Sequence, residues 1–480
     1  MAKIGANMEI VIFGASGGAI KVAHTFNNLD IHFSFFVDNN TNKWGSTVEN
    51  KEVKSPSVLL DKEYRIVIAS DYQQEIEEQL QEMGVLQNLI LKETLILESL
   101  NKRRKEFEGI RKYYVGNKNI KIVFELIDAG ICLGGIESWT ITLLREFSNR
   151  KINVELFSRK NDLLIPQDIE NITKLFDIDY TKYFESILEL ATELVKSLPC
   201  TLITNWQSQA MMAGIIVKEM FPDELRIVSI VHNDKIALYR RQKFFEPYTD
   251  KIMGVSQKIN ETFIEQYQIP KVKIFYKESP VNFDSEFVKN YTLENEKPLK
   301  VGFAARISKF QKRIDLLIKV IETMDENNVN YNLEIAGEGS YFNRLITWHT
   351  NYKYKNKIVL LGRVSRDKMN QFWLDKDIYL SVSDFEGASI SMLEAMSYGL
   401  VPVVTNVSGV EEYVQNKWNG LIAATGDVLQ LSKNVADISQ KRELLPVYGQ
   451  RSRKIIKDKC KLSEYCDKIL SEVNQLHSKI

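Results

Sequence analysis

Residues 381–420 read SVSDFEGASISMLEAMSYGLVPVVTNVSGVEEYVQNKWNG, and two carboxylates in this stretch, Glu386 and Glu394, stand eight positions apart across a strand-to-helix turn. Residues 377–383 form an apolar run that predicts a buried strand. After Gly387 the apolar spacing Ile390, Leu393, Met396 predicts one face of a helix that stops at Gly399. Gly387 and the amides of Ala388, Ser389 and Ile390 then fall at a helix N-terminus. Free N–H groups and the positive dipole end make that place attractive to a diphosphate. Glu394, two turns on, offers an acceptor for a ribose diol, and Glu386 can reach the hydroxyls of a sugar beyond the phosphates. Taken alone, the same pattern also suits a solvated helix with an acid complementing its dipole.

The chain before this stretch repeats one theme, a strand running into a glycine or charged turn and then a helix. Residues 300–306 predict a buried strand that leads into the helix 314–324. Arg306 and Lys312, six apart around that turn, can converge on one diphosphate, Arg as a planar fork and Lys as a point charge. Further back, 226–231 predicts a strand that ends at His232-Asn233-Asp234, where strand ends face the ligand crevice of an open α/β sheet. Tyr239, Arg240 and Arg241 follow in a segment read as mobile, suited to gripping an acceptor or to plain solvation. Gly134-Gly135 stands between the strand 122–127 and the helix 138–148, a junction that lets backbone approach a phosphate or sugar closely.

These pieces together resemble the family 4 retaining glycosyltransferases, which have the GT-B architecture of two Rossmann-like lobes. The resemblance covers residues 120–480 and rests on Glu386-x7-Glu394, the following GLVPVVTNVSGVEEYV, the Arg306-x5-Lys312 element, the Gly134-Gly135-Ile136-Glu137 opening and His232 with its later strand 250–256. Gly387-Ala388-Ser389 departs from the Gly-Phe-Gly or Pro-Phe-Gly common in the family. The resemblance implies catalytic roles for His232, Arg306, Lys312 and Glu386. It implies donor binding by Gly134, Gly135, Val364 near the base, Gly387, Ala388, Ser389, Ile390 and Glu394. It also implies transfer from a nucleotide-diphosphate sugar, UDP first and GDP second, with no metal and no other cofactor. Asp177-x-Asp179 and Asp375-x-Asp377 look like the metal-binding motif of another transferase architecture and are read as chance.

Residues 8–100 predict a small doubly wound unit of their own. A strand at 9–13 runs into Gly14-Ala15-Ser16-Gly17-Gly18, and Asp38 stands at the tip of the second strand. A glycine turn followed by such an acid can hold a pyrophosphate and a ribose, though the glycine spacing is not that of the dinucleotide fingerprint. The wording of this stretch resembles the nucleotide-sugar-binding domain of bacterial sugar-nucleotide acyltransferases, which implies a ligand site at Gly14, Gly17 and Asp38, or a docking module that has kept the turn. The basic stretch 101–120, with Lys102, Arg103, Arg104, Lys105, Arg111 and Lys112, reads as a solvated linker rather than a membrane-binding helix.

The fold expected is therefore α/β, with a Rossmann-like domain at 8–100, a linker at 101–120, an acceptor lobe at 121–284, a donor lobe at 298–462 and a helix from 463 crossing back. At 480 residues the chain is too long for one core. Its 63 basic and 63 acidic side chains cancel, so no global field favours nucleic acid. Cys132, Cys200, Cys460 and Cys466 show no metal spacing and read as reduced thiols. No apolar run approaches the roughly 20 residues of a membrane span. Residues 1–7 read as a disordered lead-in, and the chain as cytoplasmic, with peripheral contact at the inner face of the membrane left open. The partners expected are a nucleotide-sugar donor and a glycan, lipid-linked or protein acceptor in bacterial glycan synthesis; self-assembly or a partner transferase also stays open. The competing readings are a sugar-nucleotide epimerase of the same architecture, a non-catalytic sugar-nucleotide-binding partner protein, and an oxidoreductase built on the Gly14 domain. Each lacks a proton-transfer set or leaves the Arg306, Lys312, Glu386 and Glu394 quartet unexplained. A chain beginning near Asn117 is expected to keep its activity if the first domain is a docking module.

Overall fold

Alternating buried strands and amphipathic helices dictate parallel sheets covered on both faces, and the computed structural model has that form. It describes residues 8–70, 72–128, 134–161, 165–205 and 209–478; Cys132 and the lead-in 1–7 lie outside them. Two compact units emerge, one of residues 1–131, 153–229 and 236–250, the other of residues 132–152, 230–235 and 251–480.

The first unit opens with β1 (Ile10–Phe13), β2 (Phe36–Val37), β3 (Thr47–Val48), β4 (Lys51–Lys54) and β5 (Arg65–Ile68), in sheet order β3-β4-β2-β1-β5. It continues with β6 (Lys121–Leu126), β7 (Val154–Arg159), β8 (Thr173–Phe176), β9 (Cys200–Thr204) and β10 (Leu225–Val231), in the parallel order β10-β9-β6-β7-β8. A single apolar core joins the two sets. Phe26, Leu29, Leu95 and Leu100 belong to the same buried cluster as Phe184, Ile187, Leu194 and Ile216.

The stretch 101–120, read as a solvated linker, is exposed along most of its length but contributes two side chains to that core. Phe107 and Ile110 are buried, the Phe107 and Phe184 rings lie 5.1 Å apart, and the Arg103 guanidinium sits 3.4 Å over the Phe184 ring. Two of its cations are also spent locally, Arg104 on Glu219 at 3.3 Å and Arg111 on the Met220 carbonyl at 3.3 Å. Burial of two apolar residues spaced three apart anchors a turn that charge composition alone makes look wet.

Tyr239, Arg240 and Arg241 likewise stand on an ordered helix, Ile236–Phe245, with Tyr239 buried. Arg240 pairs with Glu77, and Arg241 with Glu93 at 3.0 Å. Both arginines therefore fasten the helices Gln73–Glu82 and Lys92–Lys102 of the N-terminal domain instead of reaching into solvent for an acceptor.

The second unit holds the parallel pair β11 (Lys251–Gly254) and β12 (Ile274–Phe275) and a six-stranded parallel sheet. Its strands are β13 (Leu299–Ala304), β14 (Tyr331–Ala336), β15 (Ile358–Gly362), β16 (Ile378–Ser381), β17 (Val401–Thr405) and β18 (Leu421–Ala423), in order β15-β14-β13-β16-β17-β18. Order reverses at β13, the switch point at which doubly wound sheets bind ligands. The last helix, Leu462–His477, packs on the helix Gly135–Asn149. Trp139 Nε1 donates to the Tyr465 hydroxyl at 3.0 Å, and Arg150 reaches Asp467 at 2.5 Å.

Candidate active site

The site grows from three turns of the second unit. After β13 the chain runs through 305–313 to the helix Ile314–Glu326; after β16 it runs through 382–389 to the helix Ile390–Ser397. Arg313, at φ 47° before its helix, binds Asp315 and also Asp384 at 2.6 Å, which ties the first turn to the second. Gln311 adds a second tie, with its Nε2 3.1 Å from the Phe385 carbonyl, 3.3 Å from Glu386 Oε2 and 3.4 Å from Asn233 Oδ1.

Between these ties Lys312 Nζ meets Glu386 Oε1 as an ion pair. Glu386 is 6% exposed, so this carboxylate is inside the protein although it stands on a turn. Burying a carboxylate is costly without a charge partner and hydrogen bonds; Lys312 and Gln311 supply them.

The third turn follows β10. Asn233 bridges to Gly387, and the Asp234 amide donates to the Glu386 carbonyl at 3.3 Å. Gly387 is required by this approach: a Cβ there would sit 2.1 Å from the His232 carbonyl oxygen and 2.6 Å from a Val255 methyl. The structure thus brings His232, Gly387, Glu386 and Lys312 together. The His232 ring lies edge-on to Trp139 at 5.3 Å, and burial pushes its imidazole down to about 3. A neutral imidazole across the working range can donate or accept a hydrogen bond but carries no charge. We expect the kcat/KM profile to show no inflection from this group between pH 5 and 8. Stability should fall as pH drops from the ordinary imidazole value of ~6.5 towards 3, since only the unfolded chain then takes up the proton. His232→Gln should flatten that slope in pH-dependent urea unfolding. An unchanged slope would show that the imidazole is not held neutral.

Two helix N-termini meet here. A Cβ on Gly135 would lie 3.7 Å from Ile390 Cγ1, but the two ends differ electrically. The helix Gly135–Asn149 has Glu137 in its first turn, folded back so that a Cβ on Gly134 would clash with its Oε2 at 2.2 Å. The helix Ile390–Ser397 has no acid in its first turn and no side-chain cap. The Ser389 hydroxyl turns instead to Tyr379 at 3.2 Å. The amides at Ile390 are therefore the end that keeps its attraction for an anion.

Glu394 lies on that helix, half-buried, with its carboxyl pushed up by burial and pulled back by Arg366. Arg366 also contacts Thr142 Oγ1. Val364 and Ile390 are each partly buried against one apolar cluster. Arg306 is exposed on the turn after β13, with no polar partner among the described residues. Of the paired acids read as chance, Asp377 is fully buried and accepts from the Thr292 and Lys300 amides at 2.9 and 3.0 Å. Asp179 caps a short turn through Thr181 at 2.8 Å. Both are structural. Gln311, Asn233, Arg313, Asp384 and Arg366 were not singled out in the sequence. Only Gln311's place beside Lys312 hinted at a role, since ties between distant turns leave no periodic signal.

In the first domain, Gly14 takes φ 117°, where a Cβ would meet the Ala69 carbonyl oxygen at 2.8 Å. Gly17 opens the helix Gly17–Asn28 with open space around it. Asp38 does meet the glycine turn, but its carboxylate already accepts from the Ala15 amide at 2.9 Å, the Asn40 amide at 2.8 Å and Lys43 at 3.0 Å.

Residues 284–455 match the family described as glycosyl transferases group 1, and residues 6–91 match the family described as C2185-like, N-terminal. Residues 284–455 are thus a glycosyltransferase group 1 domain, and the enzyme is a glycosyltransferase. Among curated proteins it is 21% identical over 284 residues to the N-acetyl-alpha-D-glucosaminyl L-malate synthase of Bacillus anthracis, covering 55% of this chain and 71% of that one. It is 25% identical over 218 residues to an uncharacterized glycosyltransferase of Methanocaldococcus jannaschii, covering 45% of this chain and 57% of the relative. Among solved structures the pneumococcal O-GlcNAc transferase GtfA, in complex with UDP and GlcNAc, superposes with a TM-score of 0.62 at 13% identity, over 75% of this chain and 99% of that one. At that identity the likeness speaks for the fold, and the expected mixed α/β architecture with Rossmann-like lobes holds. No helix among the described residues is long and apolar enough to cross a membrane.

Proposed function

We propose that this chain is a family 4, retaining, metal-independent transferase that moves a sugar from a UDP-sugar to an acceptor in bacterial glycan or glycoconjugate synthesis. On this reading residues 121–284 are the acceptor lobe and 298–462 the donor lobe. The observation that carries it is the set of the uncapped, acid-free helix end at Ile390, the buried Glu386–Lys312 pair and the neutral His232, gathered round Gly387.

As the bond from sugar to diphosphate breaks, negative charge grows on the leaving group and the sugar becomes oxocarbenium-like. Fixed dipoles and cations aimed at that charge lower the barrier without reorganising. The amides at Ser389 and Ile390 and the exposed Arg306 face the diphosphate, and Lys312 divides its charge between it and Glu386. Glu386, held by Lys312 and Gln311, orients donor hydroxyls; Glu394, beside Arg366, faces the ribose; Val364 lines the base; His232 holds the sugar. Gly134 and Gly135 admit sugar rather than phosphate, because Glu137 already occupies the positive end of their helix. A phosphate oxygen of the donor takes the acceptor proton on the same face. UDP in the GtfA structure supports the choice of base.

Incubating the full-length protein with a panel of nucleotide sugars should give slow hydrolysis of a UDP-sugar, with the anomeric configuration kept in the released sugar as followed by NMR. An inverted product would remove the retaining reading, and a panel on which no UDP-sugar is turned over would remove the UDP-sugar reading. EDTA should leave the rate unchanged; loss of activity restored by Mg²⁺ or Mn²⁺ would show that the diphosphate needs a cation these residues do not replace.

A further inference from the structure

From Gly339 to Arg366 the chain holds no Asp or Glu, although over its whole length acids and bases are equal in number. This stretch forms one edge of the six-stranded sheet. It contains the helix Phe342–Asn351, the short turn Lys355–Lys357 and β15, which pairs with β14 on one side and ends the sheet on the other. Ile358 is buried, whereas Val359 and Leu361, two apart and so on one face of the strand, are 48% and 41% exposed. His349 Nε2 lies 3.2 Å from the Lys355 carbonyl oxygen and 3.1 Å from that of Ile358, which fastens the helix to the start of the strand. Ile346, three residues before His349 and thus on the same helix face, is 40% exposed.

Cations stand at both ends of this apolar edge, Lys353 and Lys355 before β15 and Arg363 after it, all three exposed. Lys353 Nζ rests 4.9 Å from the Tyr354 ring centroid, and Lys355 Nζ donates to the Thr350 carbonyl at 3.0 Å. Among the described residues none of the three is paired with an acid, because the acids on the neighbouring elements are engaged elsewhere. Asp325 takes Lys357 at 2.6 Å and the Tyr352 hydroxyl at 2.7 Å, Glu322 takes Trp348 Nε1 at 2.9 Å, and Glu334 takes Lys376 at 3.1 Å. With Arg344 exposed on the helix, these cations outnumber the exposed Glu326 and Glu338 that stand before and after β14.

An exposed apolar edge strand invites association unless something covers it, and β15 carries neither a charge nor a proline of its own. We infer that this edge docks on an anionic lipid surface, with Val359, Leu361 and Ile346 entering the headgroup boundary and Lys353, Lys355 and Arg363 meeting the headgroup phosphates. Attachment to a membrane surface combines an apolar signal with a basic one, and each Lys or Arg held near anionic lipid strengthens binding about fivefold. A second copy of the chain fits less well, since isologous pairing of two such edges sets cations against cations. A polyanion answers the cations but leaves three apolar side chains in water.

The test is co-sedimentation of the full-length protein with vesicles of phosphatidylcholine alone and of phosphatidylcholine mixed equally with phosphatidylglycerol, repeated on two double variants. The mixed vesicles should bind the protein and the neutral ones should not, and added salt should weaken the binding. Lys353→Gln with Lys355→Gln should weaken it roughly 25-fold, at about fivefold for each charge, and Val359→Ser with Leu361→Ser roughly tenfold through the lost apolar contact. All four side chains are exposed, so both variants keep their fold. No binding to the mixed vesicles, equal binding to both kinds, or parent-like binding by the lysine variant overturns the inference. Vesicle binding that survives Val359→Ser with Leu361→Ser marks a site for polyanions and overturns the lipid assignment. A dimer in sedimentation analysis that this same apolar variant dissociates gives the edge to a second copy and overturns it too. The experiment needs no donor, so its result is independent of what the panel of nucleotide sugars gives.

Discussion

Glu386→Gln and Lys312→Met each lower sugar transfer by about a hundredfold or more, the loss typical of one group that stabilises charge only in the transition state, and the double variant loses far less than the product of the two. The non-additivity follows from the geometry. The pair is buried, with 16% of the Lys312 side chain and 8% of the Glu386 side chain exposed, so removing one partner strands the other in a low-dielectric site. Breaking such a pair costs up to about 3–5 kcal/mol, and the thermal midpoint of each single variant should fall while that of the double variant recovers in part. Measuring kcat, KM and melting for the four proteins closes the cycle. Parent-like turnover in either single variant would sink the site assignment, and strict additivity would mean that the two groups act separately.

A chain starting at Asn117 should fail to fold, contrary to what the separate wording of the first hundred residues suggests. Removing them uncovers Phe184, Ile187 and Leu194, which share one buried cluster with Phe26, Leu29, Leu95, Leu100 and Phe107. It also cuts the Phe184 amide from Asn28 at 2.7 Å and strands Arg240 and Arg241 without Glu77 and Glu93. Each large apolar side chain returned to water costs about 1.5–3 kcal/mol, and a handful exhausts the 5–15 kcal/mol of a typical domain. Circular dichroism and solubility of the truncated chain check this. A soluble, cooperatively melting product would show that the shared core is dispensable.

How the two parts are fastened together was hidden in the sequence for a simple reason. In 101–120 charges outnumber apolar residues, and Phe107 and Ile110 are too few to mark a buried face by periodicity. Arg240 and Arg241 look the same in sequence whether they meet water or a carboxylate 150 residues away. The strand-turn-helix units themselves were legible, because period and glycine punctuation are local properties. β13, β16 and the helix after Ser389 fall where the pattern puts them.

What the sequence determined by itself, then, is the set of local units and the residue types at their turns: Glu386 and Glu394 eight apart, Lys312 before its helix, His232 at a strand end, glycine at 387. Only the tertiary structure decided which turns touch. It paired Lys312 with Glu386, laid Gly387 against the His232 carbonyl, gave one helix end an acid at Glu137 and left the other open at Ile390. Those outcomes depend on chain crossings between residues tens to hundreds of positions apart, and no local spacing encodes the distance between two such turns.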